Sequence, residues 1–196
     1  KDTSQEEAKT FNLFAWNRGD NAKGTSISAK EGDSVSVILE TSGFKSGEKI
    51  YFHISGDGIE ANDFYYRKYG DIVPGWLQNG KTVPGNSSSL ISGPYSPSNN
   101  FGINGVQKAN SKFYIFKDNK TEGDELINIR LFSDEELKNQ VGETATVNVI
   151  DTSKNLSSYQ IVPSSYRIQE GETLTTTINA KNIDSKTFLY WKASGI

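Results

Sequence analysis

The chain has 196 residues, with 21 Lys and Arg against 24 Asp and Glu, and its formal charge of -3 excludes the uniform basic field that nucleic-acid binders use. At 34% hydrophobic and 11% aromatic it can build a core, while the absence of cysteine excludes disulfides, thiolate-held zinc, iron–sulfur clusters and thiol nucleophiles together. No apolar run approaches the roughly 18 residues that span a bilayer as a helix, so nothing reads as membrane insertion. The chain also lacks methionine, so Lys1 reads as a processed terminus or as an interior position of a longer polypeptide, and the repeat described below favours the second.

In chain order, residues 1–22 read as a lead-in segment. Within it Arg18-Gly19-Asp20 spells an integrin-type tripeptide that a plain Asn- and Gly-rich turn explains as well. Val35, Val37 and Leu39, then Ile50, Phe52 and Ile54, alternate with polar residues at period two, as half-buried strands require. His53, the single histidine, falls in the second of these strands and reads as solvent-facing; no activated serine accompanies it, so a catalytic triad is excluded. Residues 65–110 hold four of the five prolines and many Gly, Ser and Asn residues, and read as a long surface excursion. Its aromatics (Tyr65, Tyr66, Tyr69, Trp76, Tyr95 and Phe101) suit either anchoring of the loop or a glycan-type surface.

Period two resumes at Ile127, Ile129 and Leu131 and again at Ala145, Val147 and Val149. Between them Ser133–Gln140 offers at most two helical turns, and its consecutive Glu135 and Glu136 read as solvated, not as a catalytic pair. Asn86, Asn119 and Asn155 open sequons that matter only in a glycosylating host. Many short strands separated by turn signals predict an all-β, antiparallel sandwich over residues 23–152, followed by a linker at 153–164.

The segment from Ser26 to Gly56 aligns without a gap on the segment from Ser165 to Gly195, at a constant offset of 139 residues. Glu31-Gly32 meets Glu170-Gly171, Phe52 meets Trp191 and Gly56 meets Gly195. Residues 165–196 therefore read as the start of a second, incomplete repeat.

Carboxylates fall at the predicted strand ends: Glu31 in AKEGDS, Asp63 in IEANDF, Asp118 and Glu122 in IFKDNKTEGDE, and Asp151 in VNVIDTS. In order, these elements resemble the Calx-beta family of immunoglobulin-like calcium-binding repeats. The resemblance runs from Ser26 to Asp151, interrupted by the excursion. It implies a seven-stranded sandwich with Glu31, Asp63, Asp118, Glu122 and Asp151 as Ca²⁺ ligands at one pole, and Lys120 supplying a backbone carbonyl. Hard oxygen donors converging from separate loops suit this ion, and the same acids also suit ordinary strand-end turns. Asn119 stands where the family has a second Asp, and Thr152 where it closes on a further acid; both reduce the anionic donors.

The second repeat, EGETLTTTINAKNIDSKTFLYWKASG, resembles units of large structural proteins of marine cyanobacterial viruses and of cyanobacterial surface proteins. Together these readings predict a non-enzymatic structural or adhesive repeat of a surface-exposed protein, a virion fibre, appendage or decoration, or a cell-surface adhesin. Neighbouring repeats or subunits are the expected partners, with a host-surface or glycan ligand at 65–110, outside the cell or on a virion. The alternatives are a calcium-sensing regulatory module and a carbohydrate-binding accessory of a secreted enzyme.

Overall fold

The computed structural model describes residues 8–97, 106–192 and 194. Two units result, one of residues 1–118 and 122–152, the other of residues 119–121 and 153–196. In the first, the strands are β1 (Thr10–Asn17), β2 (Ala22–Gly24), β3 (Ser26–Lys30), β4 (Ser34–Ser42), β5 (Ile50–Ser55), β6 (Phe64–Lys68), β7 (Asp71–Pro74), β8 (Leu77–Gln78), β9 (Lys81–Thr82), β10 (Leu90–Tyr95), β11 (Gln107–Ile115), β12 (Glu125–Phe132) and β13 (Gln140–Ile150). One sheet runs β2-β1-β4-β11-β6-β7 and another β10-β5-β12-β13-β3; only the β13–β3 pair is parallel among those described. No helix of the described residues is long and apolar enough to cross a membrane.

The inward residues of β4, β5, β12 and β13 are those that the period-two reading selects. Val35, Val37, Leu39, Ile50, Phe52, Ile54, Ile127, Ile129, Leu131, Ala145 and Val147 are all essentially without solvent contact in one continuous core. Ring pairs pack beside β6 and β11, with Phe64 edge-on to Trp76 at 5.1 Å and to Phe113 at 5.5 Å between centroids. Gly56 closes β5 where no side chain fits, because a Cβ there would lie 2.1 Å from the Leu126 carbonyl oxygen.

Four expectations change. The lead-in is not peripheral: Thr10–Asn17 pairs with β4 over its whole length, from Thr10 opposite Ser42 to Asn17 opposite Val35. The alternation there is masked because both faces are apolar, Leu13 and Ala15 inward, Phe14 and Trp16 outward. The described part of the excursion 65–110 contributes to the sandwich: β6, β7, β10 and the start of β11 lie in it, and its Trp76 and Leu90 belong to the core. Phe101 lies outside the described residues. Ser133–Gln140 is a turn and not a helix, closed by Asp134, whose carboxylate accepts the backbone N–H groups of Lys138 at 2.9 Å and Asn139 at 2.8 Å. His53 is half-buried, edge-on to Phe132 and hydrogen-bonded through Nε2 to Ser89 Oγ at 3.0 Å. Burial, and then the nearby Arg130, lower its pKa.

Among its described residues the second unit holds one hairpin, β14 (Ser158–Pro163) paired with β15 (Thr176–Lys181). The expected linker 153–164 thus contains a strand, and β15 is the described strand within 165–196.

Candidate metal centre

The pole at which β3, β11 and β13 end and β4, β6 and β12 begin collects the acids. The parallel β3–β13 register, with Lys30 opposite Ile150, brings the Glu31 turn beside Asp151. Gly32, at φ +89, lets the chain reverse there, and Asp33 fixes the reversal by accepting the Lys30 N–H and the buried Asn17 amide, each at 2.9 Å. Glu31 is then free to reach across, and its Oε2 accepts the Thr152 N–H at 2.8 Å.

Asp63 ends a 3-10 turn, Ala61–Asp63, whose reciprocal capping box with Glu60 orients its carboxylate. Its backbone carbonyl accepts the Phe116 N–H at 2.7 Å, tying the turn to the start of the β11–β12 loop. Asp151 Oδ2 accepts the N–H groups of Glu122 and Gly123, both at 2.8 Å, which pins the far side of that loop to the end of β13.

Glu31, Asp63, Asp118 and Glu122 therefore line one cleft, together with Asn62 and Glu125. Asp151 does not line the cleft but acts on it electrostatically, and Lys120 falls in the 119–121 segment that groups with the second unit. Glu125 and Asn62 are absent from the ligand set drawn from the sequence. Glu125 lies three residues beyond Glu122 in TEGDE, a further acid of the same run.

Glu125 registers the crowding. Burial first, then the carboxylates of Asp63, Glu122, Glu31 and Asp151, push its carboxyl up to about 7. Four acids around a fifth make a negative well in a half-buried site, which favours any cation that can enter.

The cleft volume of about 20 Å³ admits one water-sized occupant and no organic ligand. Its donors are carboxylates and an amide, the hard oxygens that Ca²⁺ takes about 6 to 8 of, and no His or Cys among them suits a softer metal. Among the described residues no three acids are grouped as closely as a bound ion would hold them.

No family model matches the chain, and no curated protein matches it. Among solved structures it is similar to the apo-form Calx CBD1 domain, at 18% identity over 72% of this chain and 98% of that one, with a TM-score of 0.35. It is also similar to the calcium-binding domain CBD12 of CALX1.1, at 20% identity over 64% of this chain and 41% of that one, TM-score 0.32. A family 123 glycoside hydrolase from Clostridium perfringens matches at 15% identity over 76% of this chain and 27% of that one, TM-score 0.28. At these TM-scores the likenesses carry nothing about the site, which stands on its own geometry.

Proposed function

We propose that the chain is a non-catalytic β-sandwich module whose acidic pole binds calcium, and that it serves as a structural or adhesive repeat of a surface-exposed protein outside the cell or on a virion. One observation carries the calcium reading: Glu31, Asp63, Asp118, Glu122 and Glu125, delivered by three separate stretches of chain, share a cleft sized for a single ion. A cation there would draw the carboxylates together and lock the turns at the ends of β3, β11 and β13. That is a way of stiffening the module at this pole. The repeat role draws on the 139-residue offset and on the second unit's exposed apolar side chains, which suit burial against a neighbouring repeat or subunit.

Calorimetric titration of the chain with CaCl2, after exhaustive chelation, tests the calcium reading. The expected result is saturable binding that Asp63→Asn weakens and that Mg²⁺ in equal concentration does not reproduce, because the smaller ion gives up its water reluctantly. No binding heat together with an unchanged melting curve in millimolar calcium would overturn it and leave the acids as turn residues.

A further inference from the structure

The outward face of the β2-β1-β4-β11 sheet holds a trough of about 680 Å³. Register alone lays it out. One cross-strand row runs Lys23, Trp16, Ser36, Lys112, and two residues further along a second runs Phe14, Ile38, Asn110; the next sets Glu40 beside Lys108. The trough thus carries Arg18, Lys23, Lys108 and Lys112 against the single carboxylate of Glu40, an excess of positive charge on a chain of net charge -3.

We propose that this face binds an acidic polysaccharide, a polymer of hydroxyl-rich sugars bearing carboxylate or sulfate groups at intervals. Lys23 and Lys108 meet at Glu40 Oε1, whereas Arg18 and Lys112 lie apart over Trp16 and Tyr114, so the four cations do not converge on one point. Lys23 and Lys112 are three strand spacings apart, roughly 14 Å, and Lys108 and Lys112 four residues apart along one strand, roughly 13 Å. A single phosphate cannot satisfy such a spread, whereas a polymer with spaced anions can. Short polar side chains (Asn21, Ser36 and Asn110) lie between the charges and match hydroxyls.

Three cations are held ready by aromatic rings beneath them. Arg18 lies 4.5 Å from the Trp16 ring centroid, Lys23 4.7 Å from that of Phe14, and Lys112 4.7 Å from that of Tyr114. Such seating fixes long side chains that would otherwise lose entropy on binding. It also speaks against a single-stranded nucleic acid, whose bases need uncovered rings to stack on and whose dense phosphates would meet Glu40. Glu40 bridges Lys108 at 3.2 Å and Lys23 at 3.4 Å, which keeps both ammonium groups over the trough and sets a threshold that only a polyanion overcomes.

The test is binding of the full chain to heparin, alginate and dextran oligosaccharides, in chelator so that calcium cannot bridge sugar to the acidic pole. Heparin and alginate separate sulfate from carboxylate chemistry, and dextran reports on neutral sugar. The expected result is saturable, salt-sensitive binding of at least one acidic glycan and none of dextran. Arg18→Ala and Lys112→Ala should each weaken it about tenfold, the worth of one charge-assisted hydrogen bond, while Glu40→Gln tightens it. Lys68→Ala and Lys81→Ala, on other strands of the sandwich, should leave it unchanged. Unaltered melting of each variant shows that folding is intact. The proposal is overturned if neither acidic glycan binds, if Lys68→Ala or Lys81→Ala weakens binding as much as Lys112→Ala, or if oligo-dT or poly-glutamate binds more tightly than both glycans.

Discussion

The sandwich and the C-terminal hairpin repeat the same local instructions with opposite results. Gly32 and Gly171 share φ +89, and each sits in a reversal closed the same way. Asp33 accepts the Lys30 N–H at 2.9 Å, and Glu172 accepts the Gln169 N–H at 2.7 Å. Further along, Gly43 and Asn182 both take positive φ, and the Lys45–Glu48 turn, 3.2 Å, returns as Asp184–Thr187, 2.9 Å. All four matches keep the 139-residue offset. Burial does not follow. Phe52 has no exposed surface, and its counterpart Trp191 keeps 67% of its own; Val35 is likewise fully covered, and Leu174 is 46% exposed. Turns form from local hydrogen bonds and backbone preference, whereas a core needs strands from both sheets, so a repeat can copy the first without the second.

The sharpest break in that comparison is association. The second unit exposes Ile161, Val162, Leu174, Phe188 and Trp191. Analytical ultracentrifugation should find the full chain self-associating, and removal of residues from 153 onward should yield a monomer. A monomeric full chain would mean that this surface needs no neighbour.

Core substitution comes next. Phe52→Ala should lower the unfolding free energy by about 3–5 kcal/mol through lost burial and the cavity left behind. Trp191→Ala, at the repeated position, should change it by no more than about 0.5 kcal/mol. Equal losses in denaturant melts would show that the two positions share a core after all. Smaller still is the turn effect: Gly32→Ala forces a left-handed backbone on a residue with a Cβ, at about 1–2 kcal/mol, with no steric clash nearer than 3.9 Å to add to it. Gly171→Ala imposes the same local strain but should leave the sandwich melting temperature unmoved.

The four strands readable at period two, β4, β5, β12 and β13, are those with a plain apolar inner face. β1 escaped because Phe14 and Trp16 sit outward beneath Lys23 and Arg18, which removes the polar half of the alternation. The 65–110 strands escaped for the opposite reason. Tyr69-Gly70 and Asn79-Gly80 take positive φ in the tight turns of two hairpins, and their glycines weighed as loop where they mark strand reversal. At the acidic pole the family-like acids were legible as strand-end residues. Glu125 was not singled out, because opening β12 makes it look like a strand residue, and its unusual titration depends on neighbours that only folding brings close.

That titration makes stability depend on pH. In the folded state Glu125 holds its proton up to about 7, against an ordinary 4.5, so the native chain binds more protons than the unfolded one in between. Its contribution to stability is therefore complete below 4.5 and lost as pH rises through 7. His53, whose pKa is lowered, acts in the opposite sense, contributing above its ordinary 6.5 and less as pH falls. In chelator, Glu125→Gln should flatten the decline in melting temperature between pH 5 and pH 8; an unchanged slope would remove Glu125 as its source.

The most direct measurement of the calcium reading is the melting temperature of the full chain and of Glu125→Gln, each in chelator and in millimolar calcium at pH 7.5. Removing one charge from a crowded acidic cleft relieves repulsion when no cation is present, and removes a ligand when one is. The substitution should therefore raise the melting temperature in chelator and lower it, relative to the unsubstituted chain, in calcium. A shift of the same sign and size in both conditions would contradict a calcium site at this pole.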